Sequence, residues 1–269
     1  MILNQMKPTK STGPDNINMK TIKELKTYTI PTLTRLFNSI VETEYYPANQ
    51  KVSKIIPVHK PGELLTNPLG YRGINLLNSI SKVVDKEMFY QMSEFLDEND
   101  IIPNNVHGAR KNYSTTSAAA SIHDKMSNIR DKNIPSAQIA IDKSMAYDII
   151  KHSILIKKFK AIGFSQQALN IIQSYLENRE SYVIFNTFKS KTIKTGPISA
   201  IQGGNLATLM YGVYSLDEPN MMHINCTIPQ DICLKPKADT YVDDQYSIVV
   251  SDKWENLKLD MEKYMIAQE

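Results

Sequence analysis

The sequence predicts an α+β protein, and three observations carry that prediction. Apolar residues recur at three- and four-residue spacings through several long stretches. Between them lie apolar runs too short for helices, bounded by Gly, Pro, Asn and Asp. The two kinds of segment are mixed along the chain. At 269 residues the chain can form one large domain or two intimate subdomains with a real core.

The elements follow in order. Lys10-Ser11-Thr12-Gly13-Pro14-Asp15-Asn16 is a turn cluster in which Asp15 or Asn16 can cap a helix. Ile22, Leu25, Leu33, Leu36, Phe37 and Ile40 mark that helix, and Pro31 predicts a kink or break within it. Residues 54–60 read as a strand ending at the Pro61-Gly62 turn. A helical stripe runs from Ile80 to Leu96, and another helix covers Ser117 to Arg130. Ala137–Ile141 reads as a buried strand that ends at Asp142. A helix through Ile150, Leu155 and Phe159 stops near Gly163, and a second carries Ala168, Ile172 and Leu176. Strands are predicted at Tyr182–Phe185 and near Thr192–Thr195, then a helix with Leu206, Leu209 and Val213. Strands at Ala238–Val242 and Tyr246–Val250 are joined tightly at Asp243-Asp244, and an amphipathic helix from Trp254 closes the series.

Composition narrows the class. The chain is 42% hydrophobic and 22% charged, as globular proteins are, and no run of about 18 apolar residues could span a membrane. The first residues lack the long apolar stretch of a signal peptide, and two cysteines give no disulfide framework, so an intracellular setting is expected. Net charge is only +3, but residues 151–194 carry eight Lys/Arg against two acids. That local excess could follow a phosphate backbone or be a solvated lysine-rich surface. The chain lacks a Gly-x-x-x-x-Gly-Lys-Ser/Thr loop, a dinucleotide fingerprint, His-Glu-x-x-His and Gly-x-Ser-x-Gly, which argues against P-loop, Rossmann and common hydrolase chemistry. His223, Cys226 and Cys233 could bind zinc, but a fourth ligand is lacking and their spacing fits no standard site.

The carboxylates are the chemically informative residues. Asp142 ends an apolar strand, and Asp243-Asp244 sits at the turn of an apolar hairpin. Carboxylates placed where strands leave the core can converge, and a divalent cation relieves their repulsion. Two such ions about 3.5–4 Å apart can activate a hydroxyl and stabilise a leaving pyrophosphate. Taken singly, an Asp-Asp pair in a turn is ordinary turn chemistry.

In company these residues form a pattern. Tyr241-Val242-Asp243-Asp244 resembles the Tyr-x-Asp-Asp motif C of reverse transcriptases, and Asp142-Lys143-Ser144-Met145-Ala146-Tyr147-Asp148 resembles their motif A. Gln202-Gly203-Gly204-Asn205-Leu206 is similar to motif B. Pro57-Val58-His59-Lys60-Pro61-Gly62 and Tyr71-Arg72-Gly73-Ile74-Asn75-Leu76-Leu77 resemble the finger motifs of the non-LTR (LINE-type) retroelement branch. Lys10–Asp15 resembles its N-terminal motif, and all six stand in family order.

The resemblance implies an RNA-directed DNA polymerase with fingers over residues 1–135 and a palm over 136–269, its antiparallel sheet backed by helices. Asp142, Asp243 and Asp244 would be catalytic and hold two Mg²⁺ ions, with Mn²⁺ as a substitute. Lys60 and Arg72 would contact the triphosphate, and Tyr147 would be the aromatic gate that excludes a 2′-hydroxyl. Gln202 and Gly203 would lie beneath the nascent base pair. Implied partners are an RNA template, a DNA primer, dNTPs and the parent element's RNA, without a membrane, in the nucleus or a cytoplasmic ribonucleoprotein.

Departures from the pattern are Gly73 for Pro, Met145 for Lys, and an altered motif B, where Ile201 replaces Pro, Gly204 replaces Ser and Ala207-Thr208 stands for Ser-Pro. The family continues past motif C into a lysine-bearing motif, a primer grip and a thumb, so the chain is expected to stop before the thumb. The alternative expectation is an inactive retroelement remnant that at most binds nucleic acid.

Overall fold

A computed structural model describes residues 2–143, 145–201, 204–216 and 239–266. Helices α1 (Ile2–Gln5), α2 (Met19–Glu24) and α3 (Lys26–Thr43) precede a hairpin of β1 (Val52–His59) and β2 (Tyr71–Leu77). Next come α4 (Ser79–Glu98), α5 (Thr115–Asp131), β3 (Ser136–Asp142), α6 (His152–Ala161) and α7 (Gln166–Leu176). Short strands β4 (Glu180–Phe185), β5 (Phe188–Lys189) and β6 (Ile193–Lys194) lead to α8 (Asn205–Tyr214). Strands β7 (Asp239–Tyr241) and β8 (Asp244–Val250) and helix α9 (Trp254–Ile266) complete the described elements. The fold is α+β. No described helix is long and apolar enough to cross a membrane.

The chain divides into two compact units, each made of two stretches. The first comprises Met1–Phe95 and Tyr147–Met210. Its sheet is mixed: β1 pairs antiparallel with β2 and parallel with β4, whose far side carries β5 and β6. Two local expectations are corrected here. The cap of α2 is Asn18, whose side chain accepts from the Thr21 N–H at 2.8 Å, rather than Asp15 or Asn16. Asp15 instead closes its own turn by accepting from the Ile17 N–H. Pro31 does not break its helix; α3 runs through it, and the interruption falls at Leu25. Around the proline, the hydroxyls of Thr29, Thr32 and Thr34 donate to carbonyls of the preceding turn.

A polar cluster lies inside this unit. Asp85 accepts from the hydroxyls of Tyr46 at 3.1 Å and Tyr175 at 3.2 Å, and the two rings meet edge to face. The buried Arg179 guanidinium lies 4.5 Å from the Tyr175 ring centre and donates to the Tyr175 carbonyl at 2.8 Å. Burial outweighs the pull of Arg179 and of both hydroxyls, so the Asp85 carboxyl is pushed up to about 6.

The second unit comprises Leu96–Ala146 and Tyr211–Glu269. Its three strands are antiparallel in the order β3-β8-β7. Alternation along β3 and β8 sends Ile139, Ile141 and Val249 to the face covered by α9, where they pack with Leu257, Met261 and Tyr264. The Tyr264 hydroxyl completes that face, 2.7 Å from Ser247 Oγ and accepting from Gln245 Nε2 at 3.3 Å. The other face of β3 stays exposed at Gln138, Ala140 and Asp142.

The Asp85 shift makes stability depend on pH. The folded chain holds this proton more tightly than the unfolded chain, so the contribution of Asp85 falls as pH rises from about 4 to about 6. Between pH 4 and 6.5, urea unfolding should show stability moving by roughly 3 kcal/mol in favour of Asp85→Asn relative to the native chain. A constant difference between the two chains over that range would contradict the buried protonation.

Candidate active site

The expected hairpin forms with one correction. Its turn is Val242-Asp243, and Asp244 is already the first residue of β8, opposite Tyr241. A two-residue hairpin loop of this kind needs positive φ, and Val242 supplies it at +59°. That region is costly for a β-branched side chain.

On its other edge, β8 pairs with β3 in a register that sets Asp142 directly opposite Asp244. Directly opposed residues share a sheet face, with Cβ atoms about 4.5–5.5 Å apart. Two segments remote in sequence thus bring their carboxylates together on the side away from α9. Asp243 follows from the turn. Partial burial, then Asp243 and Asp142, raise the Asp244 carboxyl above the usual carboxylate range. Hard oxygen donors that repel one another suit a divalent cation such as Mg²⁺. Among the described residues, no three His, Cys, Asp or Glu side chains already converge as a metal cage.

The edge strand β7 is anchored by residues the sequence reading did not single out. Asp239 is only 1% exposed. Its carboxylate accepts from Ser121 Oγ at 2.9 Å and Lys125 Nζ at 2.6 Å, both on α5, and lies 3.7 Å from His107 Nε2. Ser117 Oγ meets His107 Nδ1 at 2.9 Å and also serves the capping box of α5 with Ser114. Burial lowers the proton affinity of His107 against the pull of Asp239. A lone acid two residues before Tyr241 was the available signal, but only the fold reveals its cation.

The other expected site residues lie in the first unit. Arg72 is exposed on β2 opposite Val58. Lys60 follows β1; its backbone N–H donates to Gly70 O at 2.8 Å and its Nζ to Leu69 O at 2.9 Å. Tyr147 is half-buried, with its hydroxyl 3.4 Å from Thr208 Oγ1, so a motif B departure supplies its neighbour. Gln202 and Gly203 lie outside the described residues, as do His223, Cys226 and Cys233.

Over 231 residues, 86% of its length, the chain is 28% identical to the probable RNA-directed DNA polymerase from transposon BS of Drosophila melanogaster. It is 30% identical over 210 residues, 78% of its length, to the probable RNA-directed DNA polymerase from transposon X-element of the same fly. It is a relative of the RNA-directed DNA polymerases of non-LTR retrotransposons. The RNA-directed DNA polymerase from mobile element jockey, also of Drosophila melanogaster, matches at 26% over 230 residues, 86% of the chain. The chain spans about a quarter of these relatives' own lengths, 25%, 23% and 25% respectively. No protein-family model matches it.

The Asp239 anchor should respond asymmetrically to substitution. Lys125→Met strands a buried carboxylate and should cost roughly 3 kcal/mol. Asp239→Asn leaves the half-exposed lysine free to reach water and should cost only about 1 kcal/mol. Urea midpoints for both variants check this, and equal losses would count against a buried charge as the anchor.

Proposed function

We propose that the chain is the fingers-and-palm portion of a reverse transcriptase, extending a DNA primer on an RNA template. The observation that carries this reading is the pairing of Asp142 with Asp244, which sets these two carboxylates opposite one another at one end of the β3–β8 pair. In this reading β3-β8-β7 with α9 is the palm, and the mixed sheet of β1, β2 and β4 belongs to the fingers.

The chemistry is phosphoryl-type transfer. The primer 3′-oxygen bonds to the α-phosphorus of the dNTP, the α–β phosphoanhydride bond breaks, pyrophosphate leaves and the hydroxyl proton passes to solvent. Asp142, Asp243 and Asp244 would hold two Mg²⁺ ions, which when bound favour the ionised 3′-hydroxyl and neutralise charge on the leaving group. Arg72 would grip the triphosphate through its planar fork, and Lys60 as a point charge after exchanging its Leu69 carbonyl partner. The Tyr147 ring would lie under the sugar and exclude a 2′-hydroxyl, while Gln202 and Gly203 would support the new base pair. Phe185 and Phe188 are exposed beside Lys189, Lys191 and Lys194, a mixture of rings and cations suited to single-stranded nucleic acid. Such an enzyme would act with its element's RNA, in the nucleus or in a cytoplasmic ribonucleoprotein.

Primer extension on an RNA template with Mg²⁺ and dNTPs tests the reading. Asp243→Asn should lower extension by about 100-fold or more, as loss of a transition-state charge partner does. Arg72→Ala should raise the KM for dNTP by about tenfold. A native chain that shifts RNA but extends no primer would instead identify an inactive remnant.

A further inference from the structure

Val242 is the strained residue in the turn between β7 and β8, and something must hold it there. The loop Pro103–Arg110 runs beside it within the same unit. Thr240 N donates to Asn105 O at 2.9 Å, and His107 N donates to Thr240 O at 2.8 Å, so residues 105–107 flank β7 as a parallel bridge. Gly108 comes next and is buried. A Cβ added there would stand 2.7 Å from Val242 N, 3.0 Å from Val242 Cγ2 and 3.2 Å from Val242 Cα. Backbone therefore lies against backbone, with no room for any side chain at position 108. The loop is itself braced, since Arg110 Nη1 donates to Pro103 O at 2.9 Å and the buried His107 ring meets Ser117.

We propose that Gly108 is a positioning residue for the carboxylate turn. The braced loop is a backstop that keeps Val242 in its left-handed conformation and so sets Asp243 and Asp244 relative to Asp142. The consequence for catalysis rests on the polymerase reading above; the backstop itself does not. Any side chain at 108 must push the Val242 backbone and the loop apart.

The full chain, metal-free, tests this through amide hydrogen exchange and Mn²⁺ titration. Gly108→Ala should speed exchange at Val242, Asp243 and Asp244 by about tenfold while Ile139 and Val249 keep their protection. Mn²⁺ affinity should fall by about tenfold, in the direction Asp243→Asn lowers it. If Gly108→Ala does not fold, Arg110→Gln loosens the same loop without adding an atom near Val242 and should give a smaller shift of the same sign. Unchanged exchange at residues 242–244 in the folded variants would overturn the backstop. Faster exchange with undiminished Mn²⁺ affinity would overturn its positioning role. Should Asp243→Asn itself leave Mn²⁺ affinity unchanged, the metal reading fails, and exchange alone decides the backstop.

Discussion

Antiparallel pairing of β3 with β8 is the constraint on which the candidate site depends. Strand pairing has a period of two, so one register both buries Ile139 and Val249 against α9 and sets Asp142 opposite Asp244. A slip of one residue would exchange the faces, burying carboxylates and exposing the core. The apolar packing under α9 therefore determines where the acids stand. Their mutual repulsion is tolerated because the opposite face is so firmly committed.

Each unit holds its own cluster of buried polar groups. In one unit Asp239 ties β7 to α5 through Lys125 and Ser121. In the other, Asp85 gathers Tyr46, Tyr175 and the field of Arg179 among α4, α7 and the segment after α3. Charges in a core are costly unless partnered, and such partnering demands one geometry. Both clusters join segments far apart in sequence. Gly204 lies near the second, since a Cβ there would be 3.9 Å from Asp85 Oδ2, and so the glycine that replaces the motif B Ser stands close to a buried acid.

Much of the local structure was legible because it is governed by local rules. Helical stripes at Ile80–Leu96 and Ala168–Leu176 appear where apolar spacing put them, and the short runs expected at residues 54–60 and 137–141 form β1, which ends at His59, and β3. What failed was chemistry dependent on neighbours. Pro31 sits within a continuous α3, and the cap of α2 moved to Asn18. Strand β2 escaped notice because Arg72, Gly73 and Ile74 are exposed and show no apolar alternation; hairpin pairing with β1 makes it a strand. His107 and Gly108 carried no signal of their own, for their roles consist entirely of contacts with Asp239, Ser117 and Val242.

By itself the sequence determined the residue types and their order: an apolar strand ending in Asp142, an aromatic at Tyr147, and a Tyr-x-Asp-Asp hairpin. Those features follow from covalent order and from short-range periodicity, which operate before any tertiary contact exists. Only the tertiary structure decided that Asp142 faces Asp244 instead of merely preceding it. It also decided that Val242 rather than Asp244 occupies the turn, and that Gly108 lies against that turn. Register, close backbone approach and buried charge pairing arise between segments remote in the chain, and no window of sequence contains both partners.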